Sequence, residues 1–528
     1  MAIRTAAFLK RAVTQDSRLI SQHIMRGGLA LLVLLVFVNQ LNLSTITFAA
    51  GRDFASYIFL CIYLFLTGLG LTYFAAAITE EKDEDTLPLL RMTGISNVGL
   101  LVGKSLPRLA LVALFMLIAM PFLILSVTMG GVITRQIGIT IVALLCYTLL
   151  LNQIGLLAST VSRTTRAAFS VATCACLVFE LGFIAVWLLS ATLESAGWIG
   201  WSESVLSLYS WLRQRSMYMS LDGYMMADSS DPVWYPQMTF HLVAAAAMFV
   251  ASVLVFDRFN DRAMGQNAAQ SAVKARSGRR RRFGITGRAW SNALLWKSWT
   301  YIVGGRFWFL LRLIGLPVFA FLLVIAICIA VQESPEPEMF AVAMIMLGAI
   351  FFTVEVGRGL GRVLSDEIHQ KTLTSLCLLP RRLTSVVGPM IYGTLPVMIP
   401  GLACFIAGWW IMLLSNLNDF DEFIEVMFEP WFWHAWTWVL MTAVMTLTMS
   451  CWIRYGAFLG AIAVMFLLSM ITGTMIGLLA MMFDGFGADG ETIGRYLLPM
   501  GLIVAEFIAC VVLLRFTFRR LEDLAGRS

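Results

Sequence analysis

Twelve apolar runs of about twenty residues, each long enough to cross a hydrocarbon core as a helix, constrain this chain more than any other feature. They fall at about 28–49, 54–78, 107–128, 136–158, 167–190 and 239–256 in the first half. In the second half they fall at about 309–331, 339–357, 386–414, 432–452, 456–481 and 496–516. A backbone inside lipid has to satisfy its own N–H and C=O groups, so the expected fold class is an all-α polytopic membrane protein. Composition agrees: 59% of the 528 residues are hydrophobic and 13% are charged, too few charges to cover a soluble chain of this size. The run at 386–414 is too long for an upright span, and Pro389, Pro396 and Pro400 predict a kink or an interfacial first turn there.

Six runs per half return each half to the side on which it entered. Two parallel six-helix repeats are therefore expected, over 1–256 and 290–528, joined by a basic cytoplasmic linker at 257–289. Charge tests the count: the expected outer segments hold only Arg52, Arg135, Arg213, Arg215 and Arg495, which leaves 33 of the 38 Lys and Arg residues on the inner side. Both termini are thus expected to be cytoplasmic, in a plasma or bacterial inner membrane. The linker's Arg279, Arg280, Arg281 and Arg282 suit either anionic lipid headgroups or an orientation signal. Trp296 and Lys297 predict an inner-surface helix before the second set of spans, with a counterpart around Lys10, Arg11, Arg18 and Arg26. With basic residues confined to one face of the spans, no nucleic-acid partner is expected.

A short charged segment occurs twice, each time after the second apolar run of its half. It reads Glu81-Lys82-Asp83-Glu84-Asp85-Thr86-Leu87-Pro88-Leu89-Leu90 and then Glu367-Ile368-His369-Gln370-Lys371-Thr372-Leu373-Thr374-Ser375-Leu376; Glu81/Glu367, Thr86/Thr372 and Leu87/Leu373 are each 286 residues apart. Early acidic residues suit a helix N-terminus, and Leu87, Leu89 and Leu90 are expected to present an apolar patch to a partner. An interfacial helix that only fixes topology is the plainer alternative.

On these residues the chain resembles the permease subunits of type-2 ABC exporters. The likeness runs through Glu81, Lys82, Thr86, Leu87, Leu90, Thr93, Gly94, Ile95, Ser96, Gly103 and Lys104. It returns in Glu367, Lys371, Thr372, Leu373, Leu376, Leu379, Pro380 and Gly388. A second element of the same kind is Gly155-Leu156-Leu157-Ala158-Ser159-Thr160-Val161-Ser162-Arg163 with Arg166, at the inner junction of spans four and five; Ser450 and Arg454 hold that junction in the second half. The resemblance implies two permease modules in one chain, with cytoplasmic coupling helices. It implies coupling through Glu81, Asp85, Thr86, Leu87, Leu90, Glu367, Lys371, Thr372, Leu373 and Leu376. The implied partner is a cytoplasmic ABC ATPase in two copies, alongside membrane lipids.

The chain lacks G-x-x-x-x-G-K-[ST], and Gly99 to Gly103-Lys104 has the wrong spacing for it. ATP and magnesium are therefore expected on the partner, with no cofactor, metal or catalytic centre on this chain. Glu180, Glu355 and Glu506 lie in or near apolar runs, where a carboxylate contacts a polar substrate or proton, or else bonds a neighbouring helix. Glu180 is the candidate pathway residue. The expected function is alternating-access export of an amphiphilic substrate, with lipid, glycoconjugate, peptide and small amphiphile all open. The alternatives are a non-transporting anchor or mechanical coupler for an ATPase, or a secondary transporter.

Overall fold

A computed structural model of the chain describes residues 20–43, 50–84, 86–195, 199–226, 232–274, 291–331, 334–369, 372–377, 383–415, 428–452, 457–483 and 496–526. Among these residues every regular element is helical. The first half supplies α1 (Ile20–Leu43), α2 (Ala50–Phe65), α3 (Leu71–Ala75), α4 (Thr79–Asp83), α5 (Leu87–Met92), α6 (Asn97–Met129), α7 (Thr134–Val161), α8 (Thr165–Ser195), α9 (Ile199–Arg213), α10 (Met217–Met225) and α11 (Pro236–Lys274). The second half supplies α12 (Ala293–Ser298), α13 (Gly305–Val331), α14 (Pro337–His369), α15 (Leu373–Cys377), α16 (Leu383–Tyr392), α17 (Ile399–Ser415), α18 (Pro430–Met449), α19 (Ala457–Phe483) and α20 (Leu498–Gly526). The described helices gather into two compact units, α1 to α11 making most of the first and α12 to α20 most of the second.

Nine helical stretches among the described residues are long and apolar enough to cross a membrane. They are Gly51–Ala75, Asn97–Met129, Thr134–Val161, Thr165–Glu194, Pro236–Phe259, Gly305–Ile329, Pro337–Ile368, Ser385–Ser415 and Leu498–Leu524. The other three expected spans fall on α1, α18 and α19. Two of these contain the shorter apolar helices Arg26–Val38 and Gly460–Gly473. In α18 four tryptophans and four threonines lower the mean hydropathy, although the helix is long enough to span.

In the first unit α7 is the central helix, with Tyr147, Leu150 and Leu151 fully buried among α2, α3, α6, α10 and α11. A π-helical turn, Leu66–Gly70, separates α2 from α3. Close to it Tyr63 and Tyr147 stack at 5.5 Å, and Thr67 shares a 3.1 Å hydrogen bond with the Tyr147 hydroxyl. The connection from α8 to α11 is helical where described. Its α10 places Met217, Leu221, Tyr224 and Met225 in the core of the unit.

The second unit is built on the pair α14 and α17. A Cβ on Gly348 or Gly401 would lie 2.6 Å from the facing backbone nitrogen, and one on Gly408 2.8 Å from the Ala341 carbonyl. Small residues here let two membrane helices approach backbone to backbone. The kink expected at 386–414 is present: α16 stops at Tyr392, a 3-10 turn covers Leu395–Met398, and α17 begins at Ile399. Gly393 lies under α12, where a Cβ would meet the Leu295 carbonyl at 2.6 Å.

α11 runs into the expected linker as far as Lys274, where Ala, Gln, Arg and Met favour helix once a preceding turn is formed. The rest of the linker, 275–289, lies outside the described residues, as do the basic positions Lys10, Arg11 and Arg18. A helix is present around Lys297, as expected: it is α12.

Candidate functional site

The first copy of the doubled segment is two short helices, α4 and α5, joined at a tight turn, and not the single helix its acidic start suggests. The Glu81 carboxylate closes the turn. It accepts from the Thr86 hydroxyl and the Lys104 ammonium, while Thr86 N donates to the Glu81 carbonyl at 2.9 Å. Thr86 sits at the N-cap of α5 but spends its hydroxyl on Glu81 instead of capping. Pro88, which has no N–H to satisfy, reduces the loss. At the far end Gly94 adopts φ 72° and ends α5, a conformation glycine takes without steric cost. Ser96 then accepts from Gly99 N at 3.2 Å to start α6. The Thr93-Gly94-Ile95-Ser96 string is thus one helix stop and one helix start.

Burial alone would push the Glu81 carboxyl up. The hydrogen bonds from Lys104 and Thr86, with the charges of Lys104 and Arg108, outweigh it and hold the group below its ordinary value. Neighbouring Arg108 pairs with Glu80 at 3.0 Å and donates to the Tyr73 carbonyl.

The junction element lies directly on this turn. The Ser159 hydroxyl accepts from the amides of Ile78 and Thr79 at 2.7 and 3.3 Å, donors released where the chain breaks between α3 and α4. Lys82 donates to the carbonyls of Ser159, Thr160 and Ser162 at 2.9, 2.7 and 2.8 Å, so its ammonium closes the C-terminal end of α7, where positive charge is favoured. Burial pulls the Lys82 ammonium down to about 8, with Asp83 opposing the shift. Asp83 in turn accepts from the Thr165 hydroxyl at 2.7 Å and its amide at 3.4 Å, capping the N-terminus of α8. Gly155 is required by closeness, since a Cβ there would lie 2.6 Å from Phe74 Cβ and 2.8 Å from the Phe74 carbonyl carbon. Arg163 is exposed between α7 and α8, and Arg166 lies in the first turn of α8.

Beneath the turn Ala77, Ile78, Leu87, Leu100, Leu101, Leu156 and Phe256 form a small apolar core, with Leu90 partly buried against it. Asp257 fastens it by pairing with Arg91 at 2.7 Å and accepting from Asn97 at 2.8 Å. The expected outward patch is corrected here. Leu87 is only 5% exposed, whereas Leu89 and Met92 are 63% and 84% exposed. Helical spacing from Leu87 turns Leu89 and Met92 away from the core, a consequence the run of leucines hides.

The second copy repeats the clasp. Thr372 donates to the Glu367 carboxylate at 2.5 Å, and Thr372 N donates to the Glu367 carbonyl at 3.0 Å. Leu373, like Leu87, is buried in its own unit, with Leu376 partly buried beside it. The third partner differs. Register places Met390 where the first copy has Lys104, and Glu367 pairs instead with Lys297 of α12 at 2.5 Å. Neither lysine was expected as a partner of the carboxylates: Lys104 entered through the family resemblance and Lys297 as part of an expected helix. Ser450 is buried and donates to the Leu447 carbonyl at 2.6 Å. Asp85, Lys371 and Arg454 lie outside the described residues.

Glu180 lies fifteen residues along α8 from its start at Thr165. It is 3% exposed and accepts from the Ser216 hydroxyl at 2.8 Å and Tyr218 N at 3.4 Å, so α8 caps the start of α10. Glu355 pairs with Arg312 and Arg358 at 3.5 and 3.3 Å. Glu506 accepts from Thr437 at 2.5 Å and lies 3.3 Å from His434. Each of these carboxylates bonds a neighbouring helix, apart from the Arg358 contact within α14.

Residues 10–264 match the family model described as ABC-2 family transporter protein. No curated protein and no solved structure matches the chain.

Proposed function

Residues 10–264 belong to the ABC-2 transporter family, whose members are membrane permease components of ABC transporters, and on this premise we propose that the whole chain is the permease of an ATP-driven exporter. A separate ABC ATPase supplies the energy, one copy at each turn, with both turns and both termini facing the cytoplasm. The observation that carries this reading is the clasp itself. A carboxylate, a threonine five residues later and a lysine from elsewhere in the fold hold the same loop in both units. A loop that only fixed topology has no need of such closure, whereas one that bears on a partner does. Glu81 and Glu367 act by shaping the turns, and the contact surface in the first unit is Leu89 and Met92.

Leu89→Glu combined with Met92→Glu tests this. The tagged chain, purified in mild detergent from its own host's membranes, is assayed for vanadate-sensitive ATP hydrolysis that elutes with it. Loss of that activity with an unchanged melting temperature of the chain is the expected result. Retention of the unsubstituted level would show that the turn is not the docking surface.

The pairing of both Glu355 oxygens with Arg312 and Arg358 argues against a secondary transporter that moves protons through that carboxylate. An ATPase anchor that moves no solute shares the same turns, and ATP-driven flux after reconstitution separates the two.

A further inference from the structure

Lys82 and Asp83 do something that the doubled motif does not require. Neither belongs to the clasp, yet side by side on α4 they hold the two ends of the α7–α8 junction. One donates to the last carbonyls of α7, and the other accepts from the first residue of α8. Ser159 adds a third tie from α7 to the start of α4. The turn, the end of α7 and the beginning of α8 are thereby linked by polar bonds that no apolar slippage replaces. In the second unit the register places Ile368 at the Lys82 position, a hydrocarbon with no donor, and Glu367 ties its turn to α12 through Lys297.

We propose that Lys82 and Asp83 are positioning residues that transmit displacement of the first turn into α7 and α8, and that the second turn is wired to α12 instead. The two halves then convert the same push into movement of different helices: the paired spans α7 and α8 in the first, and the helix leading into α13 in the second. This rests on the docking reading above.

The structure offers a native reporter. Cys174 faces outward from α8, nine residues into the span and within reach of a lipophilic dye, and Val98, exposed in the first turn of α6, follows the clasped turn and α5. In a Cys377→Ser background, an environment-sensitive thiol dye is placed either on Cys174 or on Val98→Cys with Cys174→Ser. The complex carrying its own ATPase is then given ATP and vanadate. Both reporters should respond in the otherwise unsubstituted chain. With Lys82→Met and Asp83→Ala together, the Val98→Cys reporter should still respond while the Cys174 response is lost, and Lys82→Arg alone should preserve it. Where the double variant fails to fold, Asp83→Ala alone, which removes the acceptor for Thr165 and keeps the α7 cap, should still abolish the Cys174 response. A full Cys174 response in either variant overturns the inference. If neither reporter responds in the unsubstituted chain, the docking reading fails and takes this inference with it.

Discussion

Thr86 and Thr372 bear a tight chemical requirement at the scale of single residues, because each hydroxyl donates to a carboxylate that is half-buried at Glu81 and buried at Glu367. Replacing Thr86 with Val keeps its shape and removes the donor. The expected cost is about 1–3 kcal/mol, since the acceptor is charged, read as a lower melting temperature in detergent, with Thr86→Ser restoring most of it. The pH dependence follows from Glu81. Its folded-state carboxyl is held below its ordinary value, so the ionised clasp contributes fully above the usual glutamate range and is lost as pH falls through the lowered value. A melting curve against pH should therefore show an acid-side decline that Glu81→Gln flattens. The doubled spacing of Glu, Thr and Leu made the clasp's own members legible in the sequence. Its lysines were not, because Lys104 lies 23 residues after its partner and Lys297 70 residues before, and no shared spacing points to them.

Among the elements, the contact of α3 with α7 tolerates little change. Gly155→Val would force a side chain into Phe74 Cβ and the adjoining backbone, and neither can rotate away. Overpacking of this kind costs about 1–3 kcal/mol, and here it should also release Ser159 from Ile78 and Thr79. Faster hydrogen exchange at those two amides would check it; exchange unchanged from the parent chain would mean that the helices separate without disturbing the turn. Apolar run length located the spans, and three prolines located the break between α16 and α17. Those signals are local. The division of the first charged segment into α4 and α5 depends on an ammonium that meets Glu81 from 23 residues away, and the start of α4 is held by a hydroxyl 81 residues from Ile78, so charge placement within the segment suggested one helix. Leu87 was misplaced for a related reason: a leucine-rich string does not reveal which of its members faces inward until Phe256 and Leu156 are packed beneath it.

Considered as a whole molecule, the chain solves one problem twice with different parts. Lys297→Met should loosen the second turn, and adding Met390→Lys, which copies the position of Lys104, should restore part of the lost melting temperature; no recovery would mean that Met390 does not reach Glu367. The repeat was visible as a register of 286 residues, while the exchange of one lysine for another was invisible, because divergence kept the ion pair and moved its source. The family match to residues 10–264 falls on the half whose Gly155, Ser159 and Lys82 are all engaged around the turn. A different consequence comes from Glu180, fifteen residues into α8 and therefore near the middle of that span. By accepting from Ser216 and Tyr218 it fixes the tip of the connecting hairpin deep in its own bundle. Swinging that hairpin aside would strip a buried carboxylate of its donors, so the hairpin is moored to α8 like a stopper on a chain and has to travel with the span that holds it.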